Sequence, residues 1–128
     1  MMDFTYPRYD GESVANISPT ILKHFGCAPQ APTNETLEAR IKGSKKAVFF
    51  FIDGLGWDQL CNDLRYMPFC DSVLPSARQI TACFPSTTAA TVASFGSGLT
   101  PQQHGILGYS LYLREFNSLT NMLRYTKE

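Results

Sequence analysis

The run Ala47-Val48-Phe49-Phe50-Phe51-Ile52 is apolar without interruption, and it constrains the fold more than any other stretch of this 128-residue sequence. A half-buried strand alternates apolar and polar residues. A continuous run rich in aromatic and β-branched side chains instead fits a strand covered on both faces, as in a parallel sheet between helix layers. The run is far too short to cross a bilayer, which takes about 20 apolar residues. Gly54 and Gly56 break it at once, and Trp57 to Leu64 can begin a helix. Strand, glycine turn and helix together make the opening half of a βαβ unit.

The pattern recurs. Arg78 to Phe84 reads as a second strand bounded by Pro75 and Pro85, followed by Ser86-Thr87-Thr88 and a helical stretch from Ala89 to Phe95 that Gly96 and Gly98 end. Right-handed crossovers would put both strand C-termini on one sheet edge, where ligands bind in open α/β sheets. Residues 1–45 differ in character, with prolines at 7, 19, 29 and 32. They predict one short helix over Pro19 to Phe25, capped by Ser18 and stopped by Gly26. They predict a second over Asn34 to Ile41, capped by Asn34 and ended by Gly43. After Gly105 the sequence predicts an extended run at Tyr109 to Leu113 and a weak helical tail. The expected class is α/β: an irregular, partly helical segment over 1–45, then a partial parallel sheet flanked by helices over 46–128.

Eleven basic residues balance eleven acidic ones, so no net charge draws the chain to nucleic acid or to an anionic membrane. An anionic ligand must then be held by local chemistry. The start, MMDFTYPRYDGES, is acidic and polar rather than a basic leader before an apolar run. With no membrane segment, the expectation is a cytoplasmic protein whose four cysteines are reduced and mostly buried. His24 and Cys27 form an isolated H-x-x-C, too few ligands for zinc.

Two segments carry chemistry. Asp53 ends the most apolar strand, where a carboxylate is costly unless paired. It reads either as a turn or helix cap or as a metal ligand at the sheet edge. The hydroxyls of Ser86, Thr87 and Thr88 stand at a helix start. One of them suffices as a cap, and the helix start also offers N–H groups and partial positive charge suited to phosphate. A hydroxyl beside a divalent metal is a usable nucleophile. Neither a P-loop motif nor G-x-S-x-G occurs.

Taken in order, V-F-F-F-I-D-G-L-G-W-D (48–58), F-P-S-T-T (84–88), G-S-G-L-T-P-Q-Q-H-G-I-L-G-Y (96–109) and N-M-L-R (121–124) resemble the alkaline phosphatase superfamily. The similar branch is the type I phosphodiesterase/nucleotide pyrophosphatase group, and the resemblance spans roughly residues 46 to 125. It implies the N-terminal portion of an alkaline phosphatase-like fold that hydrolyses phosphate esters. It implies Asp53 as a metal ligand, and Thr88 as both metal ligand and nucleophile, with two divalent ions, usually zinc. The ungapped run from Phe84 to His104-Gly105 places the role on Thr88 rather than Thr87. His104 falls in a turn that is structural in that group, and Tyr109 stands where the group usually has a phosphate-holding asparagine. The group's further Asp and His ligands lie later in longer chains, so the resemblance also implies a missing C-terminal half and a chain inactive by itself. The alternative expectation is a non-catalytic α/β anion-binding or interaction module.

Overall fold

The computed structural model describes residues 4–63 and 66–127. The chain divides into two compact units, Val48–Gln79 and a discontinuous one built from Met1–Ala47 with Ile80–Glu128.

The discontinuous unit begins with a 3₁₀ turn, Val14–Asn16, that runs into helix α1, Ile17–His24. Its start differs from the expected Ser18 cap. Ser13 accepts the N–H of Ala15, while Asn16 reaches back to the N–H of Ser13 at 2.9 Å. This reciprocal box starts the helical path before Pro19, which then lies inside α1. The end is as expected. Gly26 takes φ +88°, and the Gly26 and Cys27 N–H groups donate back to Lys23 and Leu22 in a Schellman closure. Helix α2, Glu35–Ile41, follows its sequence signals. The Asn34 side chain accepts the Leu37 N–H at 2.8 Å, and Gly43 turns the chain beyond it.

The interior of this unit is more polar than apolar. Its largest fully buried side chains are Asn16, Thr20, Pro101, Ser13 and Ser94. Asn16 Nδ2 donates to the carbonyls of Tyr9 (2.9 Å) and Pro32 (3.0 Å), and its Oδ1 accepts from Ser13. Thr20 donates to the Asn16 carbonyl and accepts the Asn34 N–H at 2.7 Å, and Asn34 Nδ2 donates to the Gly11 carbonyl. Satisfied networks of this kind fix one arrangement, because losing one member strands the others. Asn16→Asp puts a carboxylate oxygen against two carbonyls. We expect it to cost about 2–4 kcal/mol, read as a lower urea midpoint than that of Ser13→Ala.

The remaining elements of this unit are α5, Thr88–Ser97, and α6, Pro101–His104, then three antiparallel strands: β1 Ser110–Leu113, β2 Ser118–Asn121 and β3 Thr126–Lys127. Leu113 pairs with Ser118 and Ser110 with Asn121, and β3 pairs with β2. The extended run at Tyr109 to Leu113 is thus β1, but the expected helical tail is corrected to a hairpin. Asn117 adopts a left-handed φ of +44°, which Asn tolerates, and folds the chain back after the 3₁₀ turn Arg114–Phe116.

The unit Val48–Gln79 holds α3, Trp57–Asn62, and α4, Pro68–Val73, then a 3₁₀ turn at Leu74–Ser76. The stretch expected to be a strand over 47–52 joins no ladder among the described residues, and Val48 and Phe50 are about 80% exposed. A strand exists only through its neighbours' hydrogen bonds, and the described residues of this unit include no other strand. The last residue of the helix expected to reach Leu64 lies outside the described residues. Of the strand expected over Arg78–Phe84, one parallel bridge forms, Ser13 to Thr81. The partial parallel sheet is therefore corrected: the one sheet among the described residues is small and antiparallel.

One further correction concerns cysteine. All four thiols are free, but Cys27 and Cys61 are exposed, Cys70 is half-buried and only Cys83 is buried. Burial pushes the Cys83 thiol pKa up, partly opposed by its hydrogen bond with Ser94. Among the described residues, no helix is long and apolar enough to cross a membrane.

Candidate active site

Thr88 is the first residue of α5, and the cap of that helix is its neighbour. Thr87 Oγ1 accepts the Ala90 N–H at 3.3 Å and donates to the Leu107 carbonyl at 3.1 Å. One hydroxyl thus closes the helix start and ties it to the Gly105–Tyr109 segment. Thr88 is exposed, on a turn whose next two residues, Ala89 and Ala90, are buried. The helix start is anchored by two small buried residues, and the threonine before them faces outward from that anchor. The F-P-S-T-T segment enters through a cis Phe84-Pro85 bond, and the Phe84 N–H donates to the Tyr9 hydroxyl at 3.0 Å.

The far end of α5 is equally determined. Gly98 takes φ +72° and its N–H closes on the Ser94 carbonyl. Thr100 and Gln103 form a capping box for α6. His104 Nδ1 accepts the Ile106 N–H at 3.0 Å, and Nε2 lies 2.9 Å from the buried Ser94 hydroxyl. Accepting at Nδ1 requires an unprotonated nitrogen there, so the ring is the neutral Nε2–H form. Burial lowers its pKa below the ordinary 6.5, with an opposing hydrogen bond to the Ala90 backbone.

That shift has a sign. Between the lowered folded value and 6.5, the unfolded chain binds a proton that the folded one does not, so acid favours unfolding. This contribution is fully present above about pH 6.5 and is lost as pH falls through that window. We expect the wild-type unfolding midpoint to fall more steeply than that of His104→Gln between pH 7 and 5, measured by denaturant titration at each pH.

Asp53 belongs to the other unit. It is exposed, and its Oδ1 accepts the Gly54 N–H at 3.0 Å in a turn where Gly54 takes φ +74°. Helix α3 is capped at Gly56, whose N–H donates to Gln59, so Asp53 is not its cap. The sheet edge expected to gather Asp53 and Thr88 is not formed by the described residues. Each is positioned by the turn and helix of its own unit.

Tyr109 is half-exposed, and its carbonyl accepts the Met122 N–H at 2.7 Å. The N-M-L-R motif is a turn. Asn121 Oδ1 accepts the Leu123 and Arg124 N–H groups, and its carbonyl accepts that of Tyr125. Sequence reasoning missed Tyr9 and the Ser13, Asn16 and Thr20 group behind it. The signal was present: three small polar residues at three- and four-residue spacing, with Ser13 as the cap and Asn16 and Thr20 about one helical turn apart.

The family model for type I phosphodiesterase / nucleotide pyrophosphatase matches residues 47–128. The chain belongs to that family of phosphate-ester hydrolases. Neither the curated proteins nor the solved structures searched contain a match to it. The match begins at the apolar run and takes in Asp53, Thr88 and His104, while the polar network of Ser13, Asn16 and Thr20 lies outside it.

Family members are generally metal-dependent, so the donors in this chain can be tested against a metal centre. A catalytic zinc takes three protein ligands. Among the described residues, no group of three or more His, Cys, Asp or Glu could hold a metal ion. Asp53 and Thr88 offer oxygen donors, but the donor set falls short of a complete centre.

Proposed function

We propose that this chain carries the nucleophile of a metal-dependent phosphodiesterase or nucleotide pyrophosphatase, with Thr88 Oγ as the attacking atom and Asp53 as a metal ligand. One observation carries the assignment: Thr87 serves as the helix cap, so the exposed Thr88 hydroxyl is not required for that task. The α5 N-terminus beneath it favours negative charge, which suits the anionic phosphate and the extra charge of the transition state. Thr88 Oγ forms a bond to phosphorus while the bond to the leaving oxygen breaks, and the hydroxyl proton passes through solvent water to that leaving oxygen. Water then attacks the phosphothreonine and restores the hydroxyl.

The remaining metal ligands come from protein outside the described residues, and the chain alone is a part of the site. Assayed by itself with added zinc, it is expected to release no p-nitrophenol from bis(p-nitrophenyl) phosphate above background. Within a protein that supplies the further Asp and His ligands, hydrolysis is expected, and chelation should abolish it. Turnover by the 128-residue chain alone that survives a chelator would overturn both the metal dependence and the shared site.

A further inference from the structure

The Gly105–Tyr109 loop after α6 contains no buried residue, so hydrogen bonds rather than packing set its course. His104 Nδ1 accepts the Ile106 N–H at 3.0 Å, and the Leu107 carbonyl accepts the Thr87 hydroxyl at 3.1 Å. These two pins sit on adjacent loop residues and lead to different parts of α5. Thr87 caps the start of that helix. The His104 ring, through Nε2, reaches the fully buried Ser94 hydroxyl in its body at 2.9 Å. The loop is thus strapped along the helix whose first residue is Thr88.

One of the two pins can be undone by a proton. His104 bonds the N–H two residues on, as asparagine does in an Asx-turn, but unlike asparagine it is a base. A proton on Nδ1 turns the acceptor into a donor aimed at the Ile106 donor, and the bond is lost. No carboxylate on these elements would hold the resulting cation. Between Arg78 and Arg114, which takes in α5, α6 and the loop, the sequence has no Asp, Glu, Lys or Arg. Its titratable groups besides His104 are Cys83, which is buried and bonded to Ser94, and Tyr109 and Tyr112. The charged or titratable groups of α1, which packs on α5, are Lys23 and His24, and these bond to Glu38 and Ser44 instead. Histidine is the side-chain type that changes charge between about pH 5 and 8.

We propose that His104 is a proton-operated latch: its neutral imidazole fastens the Gly105–Tyr109 loop to α5, and its protonation releases the loop at Ile106. The Thr87–Leu107 bond is the second fastening, and it keeps the loop near the start of α5 when the first is open. Acid therefore loosens the surface beside Thr88 before it unfolds the helix.

NMR on the 128-residue chain tests the latch. As pH falls, the Ile106 amide is expected to shift with the same midpoint as the His104 ring. His104→Asn keeps an acceptor for Ile106 but has no proton to gain, so its Ile106 amide should hold steady through that range. His104→Gln carries its amide one carbon further out. It should leave the Ile106 amide about twofold to tenfold less protected from exchange at neutral pH, the worth of one hydrogen bond. The second fastening supplies the sharper readout. Thr87→Ala removes the bond to Leu107, so opening costs less and the proton that drives it binds more readily. The His104 midpoint should then rise towards the ordinary histidine value. A histidine with a merely local role would keep its midpoint in Thr87→Ala, and that result would overturn the latch. So would an Ile106 amide that ignores the His104 titration, or one that still titrates in His104→Asn. No outcome uses phosphate-ester turnover, so the latch and the assignment of Thr88 fail separately.

Discussion

Thr88→Ala is expected to abolish phosphate-ester hydrolysis while leaving folding stability within about 0.5 kcal/mol of wild type. The expected fall in kcat is at least about 10³-fold, as for loss of a nucleophile elsewhere. Stability should hardly move, because Thr88 is exposed at the first helical position and does not close the helix start. Thr87→Ala should show the opposite pattern. It removes the acceptor of the Ala90 N–H and the donor to the Leu107 carbonyl, at a cost of about 1–2 kcal/mol, with activity largely kept below the lowered melting temperature. The pair is best measured together in the metal-complete enzyme, by bis(p-nitrophenyl) phosphate turnover and thermal unfolding. Undiminished kcat in Thr88→Ala would refute the nucleophile assignment, and loss of activity in Thr87→Ala at full stability would move the role to Thr87.

Gly98→Ala is expected to be the most destabilising single substitution in the unit that carries Thr88. A Cβ at that position would lie 2.7 Å from Pro19 Cγ, closer than side chains tolerate, and 3.3 Å from Ala31 Cβ, a tight contact. The backbone is also left-handed there, at φ +72°. The left-handed conformation costs about 1–2 kcal/mol for a residue with a Cβ, and overpacking adds about 1–3 kcal/mol. Pro19 is buried within α1, so the clash strikes a rigid ring that has little room to retreat. A melting temperature lowered by roughly 10 °C or more is expected. Gly96→Ala is the control, because a Cβ there meets nothing within 4 Å and φ is ordinary. Equal melting temperatures for the two variants would show that Gly98 is not the contact that seats α5 on α1.

The sequence made α2, α5 and the stop of α1 legible because their signals are local: an Asn cap, a threonine-rich start and glycines in left-handed turns. The start of α1 was misplaced because Ser13 and Asn16 cap each other upstream of the more obvious Ser18-Pro19. The hairpin at 110–121 was hidden because its left-handed residue is Asn117 rather than glycine. The run at 47–52 carries a strand's composition, but composition cannot supply the adjacent strands that a ladder needs. At the site, motif order singled out Asp53 and Thr88, and the caps at Gly56 and Thr87 supply an independent reason to look past helix capping. What no motif foretold is the polar group behind Phe84, since its members act through Tyr9 and backbone carbonyls distant in sequence.

The pairing of Ser13 with Thr81 also governs how the protein is born. At about 5–20 residues per second, a ribosome that has made Ser13 takes roughly 3–14 s to deliver its partner. Arg8 and Tyr9 wait as long for Thr81 and Phe84. Throughout that interval the nascent N-terminal segment has no completed interior, while the apolar run Val48 to Ile52 emerges exposed. Slow decoding between residues 48 and 80 would lengthen the period of risk, and synonymous codon choice in that window should set soluble yield without altering a single side chain.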